Sequence, residues 1–125
     1  MEEQNRVMAL DRHGRSGDAE IDNEVRDAIR FRLPRGGAFK RDIARSVGIS
    51  VRSLDRELAR RGTCYRDLLY TVRLEIAERE LSQGRRALWE VSERLGYSDP
   101  ANFSRAFRRW TGESPRSYRR RIGAK

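Results

Sequence analysis

The fold is decided by a nine-residue pattern that the chain contains twice. Residues 42–50 and 90–98 read Asp42-Ile43-Ala44-Arg45-Ser46-Val47-Gly48-Ile49-Ser50 and Glu90-Val91-Ser92-Glu93-Arg94-Leu95-Gly96-Tyr97-Ser98. In both copies the residues are, in order, an acid, a branched apolar residue, a small residue, two polar residues, an apolar residue, a glycine, an apolar residue and a serine. Each copy is followed by two apolar residues four positions apart, a spacing that places both on one face of a helix. These pairs are Leu54 with Leu58 and Phe103 with Phe107. The sequence therefore predicts a helix, a glycine turn and a helix, made twice.

Each position of the pattern has a physical part in a sharp turn between two helices. A small residue, Ala44 or Ser92, lets the helices approach closely, and the glycine accepts a left-handed backbone. The apolar residue after the turn, Ile49 or Tyr97, fills the angle between the helices. The second helix then projects with one face free, as in a helix-turn-helix that enters the major groove. One copy would leave a plain helical bundle equally acceptable, but two copies in a basic segment favour DNA binding.

Apolar residues at helical spacing continue through the remaining chain. One stripe begins at Ile21 and is stopped by Pro34, and a longer one runs over residues 65–81. Alternation with a period of two is absent over the length of a strand, so we predict an all-α fold. Residues 1–20 are polar and lack an apolar period, which is typical of a flexible leader or the remains of a linker.

The charge of the chain is strongly uneven. The 125 residues hold 28 basic and 19 acidic side chains, a net charge of +9. Residues 1–34 carry six arginines and eight acids, so the basic excess belongs to residues 35–125. Nearly all of it is arginine, whose planar guanidinium binds phosphate or guanine through two hydrogen bonds. A nucleic-acid duplex, with its negatively charged phosphates, is a suitable partner for this positive charge. A coding bias toward arginine, with many arginines paired to glutamates, would explain the composition equally well.

Several classes of protein are disfavoured by the composition. No apolar run approaches the length of a transmembrane helix, and the first residues, Met1 to Arg6, lack the apolar segment of a signal peptide. One cysteine and one histidine make neither a disulfide nor a four-ligand zinc site. We find no nucleophile paired with a base and no glycine-rich phosphate loop. We therefore expect a cytoplasmic protein with no enzymatic activity, cofactor or metal.

Residues 95–119 carry a resemblance to a known family. The motifs are Gly96-Tyr97-Ser98, then Phe103-Ser104-Arg105-Ala106-Phe107-Arg108, then Gly112 with Pro115 three positions later, and finally Tyr118-Arg119. They resemble the signature of the DNA-binding domain of the AraC/XylS family of bacterial transcription regulators. Residues 72–81 are similar to the linker helix of that family, and the resemblance extends from about Phe39 to Arg120. Ser92 and Cys64-Tyr65 depart from its commonest residues but keep their size or aromatic character.

The resemblance implies about seven helices that form two helix-turn-helix subdomains joined by a linker helix. The domain would occupy residues 21–125, with the first helix-turn-helix at about 39–61, the linker helix at about 64–82 and the second helix-turn-helix at about 87–111. A linker of about 18 residues is roughly 27 Å long, against the ~34 Å between successive major-groove faces. Members of the family usually carry a separate effector domain, and nothing in these residues is large enough to be one. The chain would be either an excised DNA-binding domain or a single-domain member, so the resemblance does not imply metabolite sensing.

The candidate DNA contacts lie on the two recognition helices and on the basic residues around them. Arg and Asn can form paired hydrogen bonds with guanine and adenine, an acid can accept from cytosine, and Ala can touch a thymine methyl. The predicted base contacts are Arg52, Ser53, Asp55, Arg56, Ala101, Asn102 and Arg105. A salt bridge from Asp55 to a neighbouring arginine is an equal alternative. The predicted phosphate contacts, each of them as well explained by a solvated side chain, are Arg41, Arg66, Arg108, Arg109, Arg116, Arg119 and Arg120.

These residues together predict a sequence-specific transcription regulator. An activator is expected, although the residues themselves do not choose between activation and repression. It would insert two recognition helices into successive major grooves of double-stranded DNA. RNA polymerase is open as a second partner, no membrane is expected, and this chain would be a monomer or weak dimer. The alternative is a basic helical interaction module that docks an acidic partner of the transcription machinery. Trp110 and Tyr118 are expected in the core rather than stacked on bases, and Cys64 as a packing or surface residue.

Overall fold

A computed structural model describes residues 21–123, and within them it contains seven α-helices, one short 3₁₀ helix and no strand. The predicted all-α fold is confirmed. The leader predicted at residues 1–20 lies outside the described part of the chain, in which no helix has the length and hydrophobicity to span a bilayer. The helices are α1 (Ile21–Arg32), the 3₁₀ helix Leu33–Arg35, α2 (Lys40–Val47), α3 (Val51–Arg60), α4 (Tyr65–Gln83), α5 (Leu88–Arg94), α6 (Pro100–Thr111) and α7 (Pro115–Arg121).

Side chains immediately before three of the helices fix where those helices begin. The side chain of Ser50 accepts a hydrogen bond from the backbone of Ser53 at the start of α3. Asp99 caps α6, and Ser114 caps α7. Each cap satisfies a backbone N–H that the first helical turn leaves without a partner.

The chain divides into two units, each with a core of its own. The first unit contains, among the described residues, 21–31 and 38–69. Its core is made by apolar residues spaced three or four apart on α1 to α4, and the fully or nearly buried ones are Ile21, Val25, Ile29, Ile43, Ala44, Val47, Leu54, Leu58, Tyr65 and Leu68. The Tyr65 hydroxyl donates a 2.6 Å hydrogen bond to the Ala38 carbonyl, which ties the start of α4 to the segment before α2.

The second unit contains residues 32–37 and, among the described residues, 70–123. Its core joins the aliphatic side chains of α4 and α5 to the aromatic face of α6. The ring centre of Phe107 lies 5.8 Å from that of Phe103 and 5.4 Å from that of Tyr118, and Trp110 lies 5.6 Å from Tyr70. The contacts of Phe107 with Tyr118 and of Trp110 with Tyr70 are edge-to-face, and that of Phe107 with Phe103 is tilted. Aromatic pairs of this kind stabilise a core beyond the burial of area. Trp110 and Tyr118 are half-buried, and their rings pack on the aromatic residues of this unit.

A buried acid organises the polar side of the second unit. Glu80, on α4, accepts a 3.0 Å hydrogen bond from Nε of Arg86, and its other oxygen lies 3.5 Å from Nε of Arg94 on α5. Two guanidinium groups thus compensate one carboxylate that is taken out of water, which is the condition for burying it. Arg119, on α7, donates to the main-chain carbonyls of Leu81 at 3.3 Å and Arg86 at 2.7 Å in the same region.

Candidate nucleic-acid interface

The first helix-turn-helix is formed by α2 and α3. Gly48 has a φ of 90°, a left-handed conformation in which a side chain would be strained, and its N–H donates to the Ala44 carbonyl at 2.9 Å. The next N–H, that of Ile49, donates to the same carbonyl at 3.0 Å, which closes the turn. Leu54 and Leu58 are completely buried on one side of α3. The opposite side of α3 is left to solvent.

The exposed face of α3 carries the four predicted base-contacting residues. Arg52, Asp55 and Arg56 are exposed and Ser53 is half-buried. Nη2 of Arg56 lies 3.4 Å from the Ser53 hydroxyl, as a donor to it. Within residues 21–123 no hydrogen bond or ion pair engages the Arg52 side chain. Arg52 and Arg56 are one helical turn apart, so both guanidinium groups can reach the same stretch of a groove.

The partner of Asp55 is a residue that the sequence did not indicate. Nζ of Lys40, the first residue of α2, lies 3.0 Å and 3.4 Å from the two carboxylate oxygens of Asp55. The alternative of a salt bridge to a neighbouring arginine is therefore replaced by a lysine on the preceding helix. Sequence reasoning could not find this pair, because its members are 15 positions apart on different helices.

A shallow groove of about 540 Å³ lies beside the first turn. Two cationic side chains line it, Arg41 and Arg45, together with the cap residue Ser50 and the turn residues Gly48 and Ile49. Arg45 is 81% exposed and is only 3.9 Å from Asp42, a loose ion pair. Sequence reasoning did not include Arg45 among the candidate DNA contacts. Its position in the last turn of α2, next to the glycine turn, is the signal that could have indicated it.

The second helix-turn-helix is formed by α5 and α6 and repeats the geometry of the first. Gly96 has a φ of 88°, and the N–H of Tyr97 donates to the carbonyl of Ser92 at 3.1 Å. Ser92 is almost fully buried, which agrees with the small residue expected there. Phe103 and Phe107 are completely buried on one side of α6.

The exposed face of α6 carries the other three predicted base-contacting residues. Ala101, Asn102 and Arg105 are all exposed. Nη2 of Arg105 donates to Oδ1 of Asn102, so the two polar side chains form one hydrogen-bonded pair. In this arrangement the Asn102 amide group remains free to donate, whereas its carbonyl oxygen is occupied by Arg105. The pair can therefore act as one reading unit in which each side chain orients the other.

Six of the seven arginines predicted to bind phosphate share the same environment. They are exposed, and within the described residues none of them takes part in an ion pair or side-chain hydrogen bond; they are Arg41, Arg66, Arg108, Arg109, Arg116 and Arg120. Arg119 differs, because its half-buried guanidinium donates to two main-chain carbonyls. These bonds give Arg119 a structural role, and its predicted phosphate contact stays untested.

The three consecutive arginines at the end of α7, Arg119 to Arg121, thus lie in three different environments. Arg120 projects into solvent, whereas Nη2 of Arg121 lies 2.6 Å from Oε2 of Glu113. The hydrogen bond from Arg121 holds the pKa of the Glu113 carboxyl below its ordinary value of 4.5, and a hydrogen bond from Ser117 acts in the same direction against the opposing effect of burial. Arg121 is consequently occupied by an acid of its own unit.

Comparison with known proteins gives the family of the chain. A family model described as a helix-turn-helix domain matches residues 43–121, more than half of the chain. The ornithine utilization regulator of Pseudomonas aeruginosa is 41% identical over 92 residues, which are 72% of this chain and 27% of the regulator. The transcriptional activator NphR of a Rhodococcus species is 41% identical over 86 residues, 66% of this chain and 26% of NphR.

A solved structure resembles the chain over most of its length. It is the C-terminal domain of AraT, a response regulator from Geobacillus stearothermophilus, with a TM-score of 0.71 and 28% identity over 85% of this chain and 88% of that domain. The chain belongs to the helix-turn-helix family of DNA-binding transcription regulators, of the AraC type. It spans about a quarter of the length of the two curated relatives.

Proposed function

We propose that the chain binds double-stranded DNA sequence-specifically and regulates transcription by inserting α3 and α6 into successive major grooves. The observation that carries this proposal is that both helices bury an apolar face and expose a polar one. α3 buries Leu54 and Leu58, and α6 buries Phe103 and Phe107. In a helix-turn-helix, the second helix lies in the major groove and contacts base edges with the side that it does not bury.

The proposed base contacts are the seven residues of the two exposed faces. Arg105 and Arg52 are assigned to guanine, Asn102 to adenine and Ala101 to a thymine methyl, since these pairings match the donors and acceptors of the major groove. The remaining proposed base contacts, all on α3, are Arg56, Ser53 and Asp55. The proposed phosphate contacts are the six exposed arginines without a partner among the described residues. They would position the protein without carrying sequence information.

The remaining parts of the proposal concern the setting in which the chain acts. We infer activation rather than repression, supported by the similarity to NphR. The protein would act in the cytoplasm without a catalytic step. Contact with RNA polymerase would accompany activation. One chain carries two recognition helices, so a monomer or weak dimer suffices for a two-box site.

The experiment that tests this function is selection of bound duplexes from a random pool. We expect an enriched motif of two short boxes about one helical turn apart. Binding should weaken by about 10³–10⁵-fold between ~50 and ~200 mM salt if six to ten phosphates are contacted. A pool that shows no enrichment, together with binding to an acidic protein of the transcription machinery, would support the interaction module instead.

A further inference from the structure

We propose that Arg73 is a positioning residue that holds the turn between α5 and α6 and so fixes the angle at which α6 presents its exposed face. Arg73 lies on α4, within the second unit. The inference rests on the proposed function, because the angle of α6 has a consequence only if α6 reads bases. Arg73 itself touches no DNA in this proposal.

Arg73 holds the turn through two different kinds of contact. Its Nε donates a 3.1 Å hydrogen bond to the carbonyl of Leu95, the C-cap residue directly after α5. Its guanidinium carbon lies 4.8 Å from the centre of the Tyr97 ring, over the ring face. A carbonyl at a helix C-terminus lacks an intrahelical partner and attracts a cation, and an aromatic face attracts a guanidinium. One side chain thus joins the residues before and after Gly96.

The glycine between these two contacts lies close to the same side chain. A Cβ on Gly96 would lie 3.4 Å from Nη2 of Arg73 and 3.6 Å from Cδ1 of Leu33. The space beside Gly96 on this side is therefore occupied by the guanidinium of Arg73 and the side chain of Leu33. The turn can move toward α4 only if Arg73 is displaced.

The contact continues from the turn into α6. The Tyr97 ring lies 5.9 Å from the ring of Phe103 and 6.4 Å from that of Trp110, both on α6. Phe103 is completely buried, and a close-packed interior transmits a displacement of one ring to the next. Arg73 is thereby coupled to the helix that carries Arg105. The first unit has Ile49 in the place of Tyr97, and an aliphatic side chain offers no ring face to a guanidinium.

The test compares Arg73→Gln and Arg73→Lys with the wild-type chain on the selected duplex. The box read by α6 is first assigned with Arg105→Ala. For Arg73→Gln we expect discrimination against single-base changes in that box to fall about fivefold. Discrimination in the other box and the salt dependence should stay unchanged, because no phosphate contact is lost. Arg73→Lys keeps the charge near the carbonyl and the ring, so it should restore part of the loss.

A second readout needs no DNA. The amide of Tyr97 donates to Ser92 across the turn, and its hydrogen exchange should accelerate in Arg73→Gln because the turn opens more often. The matched control is Arg86→Gln, which removes a comparable Nε hydrogen bond, that to Glu80, from the same unit. It should lower the unfolding midpoint while leaving exchange at Tyr97 and the discrimination in both boxes as in wild type.

Three results would overturn the positioning role. The first is a lower unfolding midpoint in Arg73→Gln with unchanged exchange at Tyr97 and unchanged discrimination. The second is a slope of log affinity against log salt reduced by about 0.9, which indicates a direct phosphate contact. The third is an equal loss of discrimination in both boxes. A wild-type chain that enriches no motif would instead contradict the proposed function, and the exchange of Tyr97 would still measure whether Arg73 holds the turn.

Discussion

Nζ of Lys40 lies 3.0 Å from Oδ1 of Asp55, so a lysine of the helix before the turn neutralises the acid on the exposed face of α3. The two side chains are 41% and 51% exposed, and a pair of this exposure contributes about 0.2–1 kcal/mol to folding. Its larger effect concerns binding, because an unpaired carboxylate on a surface that approaches DNA would repel the phosphates.

Replacing Lys40 by alanine should therefore weaken binding to every duplex to a similar extent. We expect a loss of about 1 kcal/mol, since one cation is removed and one carboxylate is unmasked. On the scrambled duplex, the double variant Lys40→Ala/Asp55→Asn should recover part of this affinity, because the carboxylate is then absent; on the selected duplex the loss of the base contact proposed for Asp55 offsets this gain. Equilibrium binding to the selected duplex and to a scrambled one measures both effects. A loss confined to one base position would show instead that Lys40 itself reads a base.

On the second recognition helix, the bond between Arg105 and Asn102 predicts that their effects on binding are coupled. Arg105→Ala should reduce discrimination at its base by about 1–3 kcal/mol. Asn102→Ala removes the acceptor that orients Arg105, so the two substitutions together should cost less than the sum of their separate effects. A double-mutant cycle on the selected duplex measures the coupling. The exposed Arg108 serves as the control, because Arg108→Ala should weaken all sequences alike; additive effects of Arg105→Ala and Asn102→Ala would contradict the coupling.

Sequence patterns predicted the parts of this structure that depend on local spacing. The glycine turns at Gly48 and Gly96 and the buried pair on each recognition helix all follow from interactions within a few positions of chain. Local spacing also predicted which residues of α6 are exposed, because a residue on the side of a helix opposite the buried Phe103 faces solvent. The internal repeat itself predicted two such units in one chain, and the family resemblance, which is confirmed, added the expectation of a linker helix between them.

Pairings between distant charges were beyond the reach of these patterns. In a chain with so many arginines, the sequence does not say which of them meets an acid or a carbonyl, as the contacts of Arg119 and Arg73 illustrate. Glu80 left a usable signal, because it follows Ile76 by four positions on the buried side of α4 and so required a compensating cation. The identity of the cations, Arg86 and Arg94, depends on how the chain returns after α4 and not on local spacing.

Arg119 and Arg120 are adjacent, and their substitutions should separate stability from phosphate binding. Arg119→Ala leaves the carbonyls of Leu81 and Arg86 without a donor, so we expect a loss of about 2 kcal/mol in the free energy of unfolding. Arg120→Ala should change stability by less than ~0.5 kcal/mol and reduce the salt slope of binding by about 0.9. Chemical denaturation and salt titrations measure these quantities. A reduced salt slope for a fully folded Arg119→Ala would reinstate the phosphate contact predicted for Arg119.

The ion pair between Glu113 and Arg121 predicts a specific acid sensitivity of the second unit. The pKa of Glu113 is lowered in the folded protein, first by the hydrogen bond from Arg121. A carboxyl whose folded pKa is depressed stabilises the protein above its unfolded pKa, near the ordinary value of 4.5, and this contribution is lost as the pH falls through the folded value. The wild-type chain should thus lose more thermal stability between about pH 5 and about pH 3 than Glu113→Gln does.

The partner variant provides the control for this acid sensitivity. Arg121→Ala removes the largest cause of the lowered pKa while keeping the carboxyl, so its midpoint should fall less steeply with acid than that of the wild type. Both variants should be less stable than the wild type near neutral pH, because each loses the charge-assisted hydrogen bonds of 2.6 Å and 3.0 Å between Arg121 and Oε2 of Glu113. Unfolding midpoints followed by circular dichroism across the acid range measure the slopes. Parallel curves for the three proteins would mean that the ion pair has no part in the acid sensitivity.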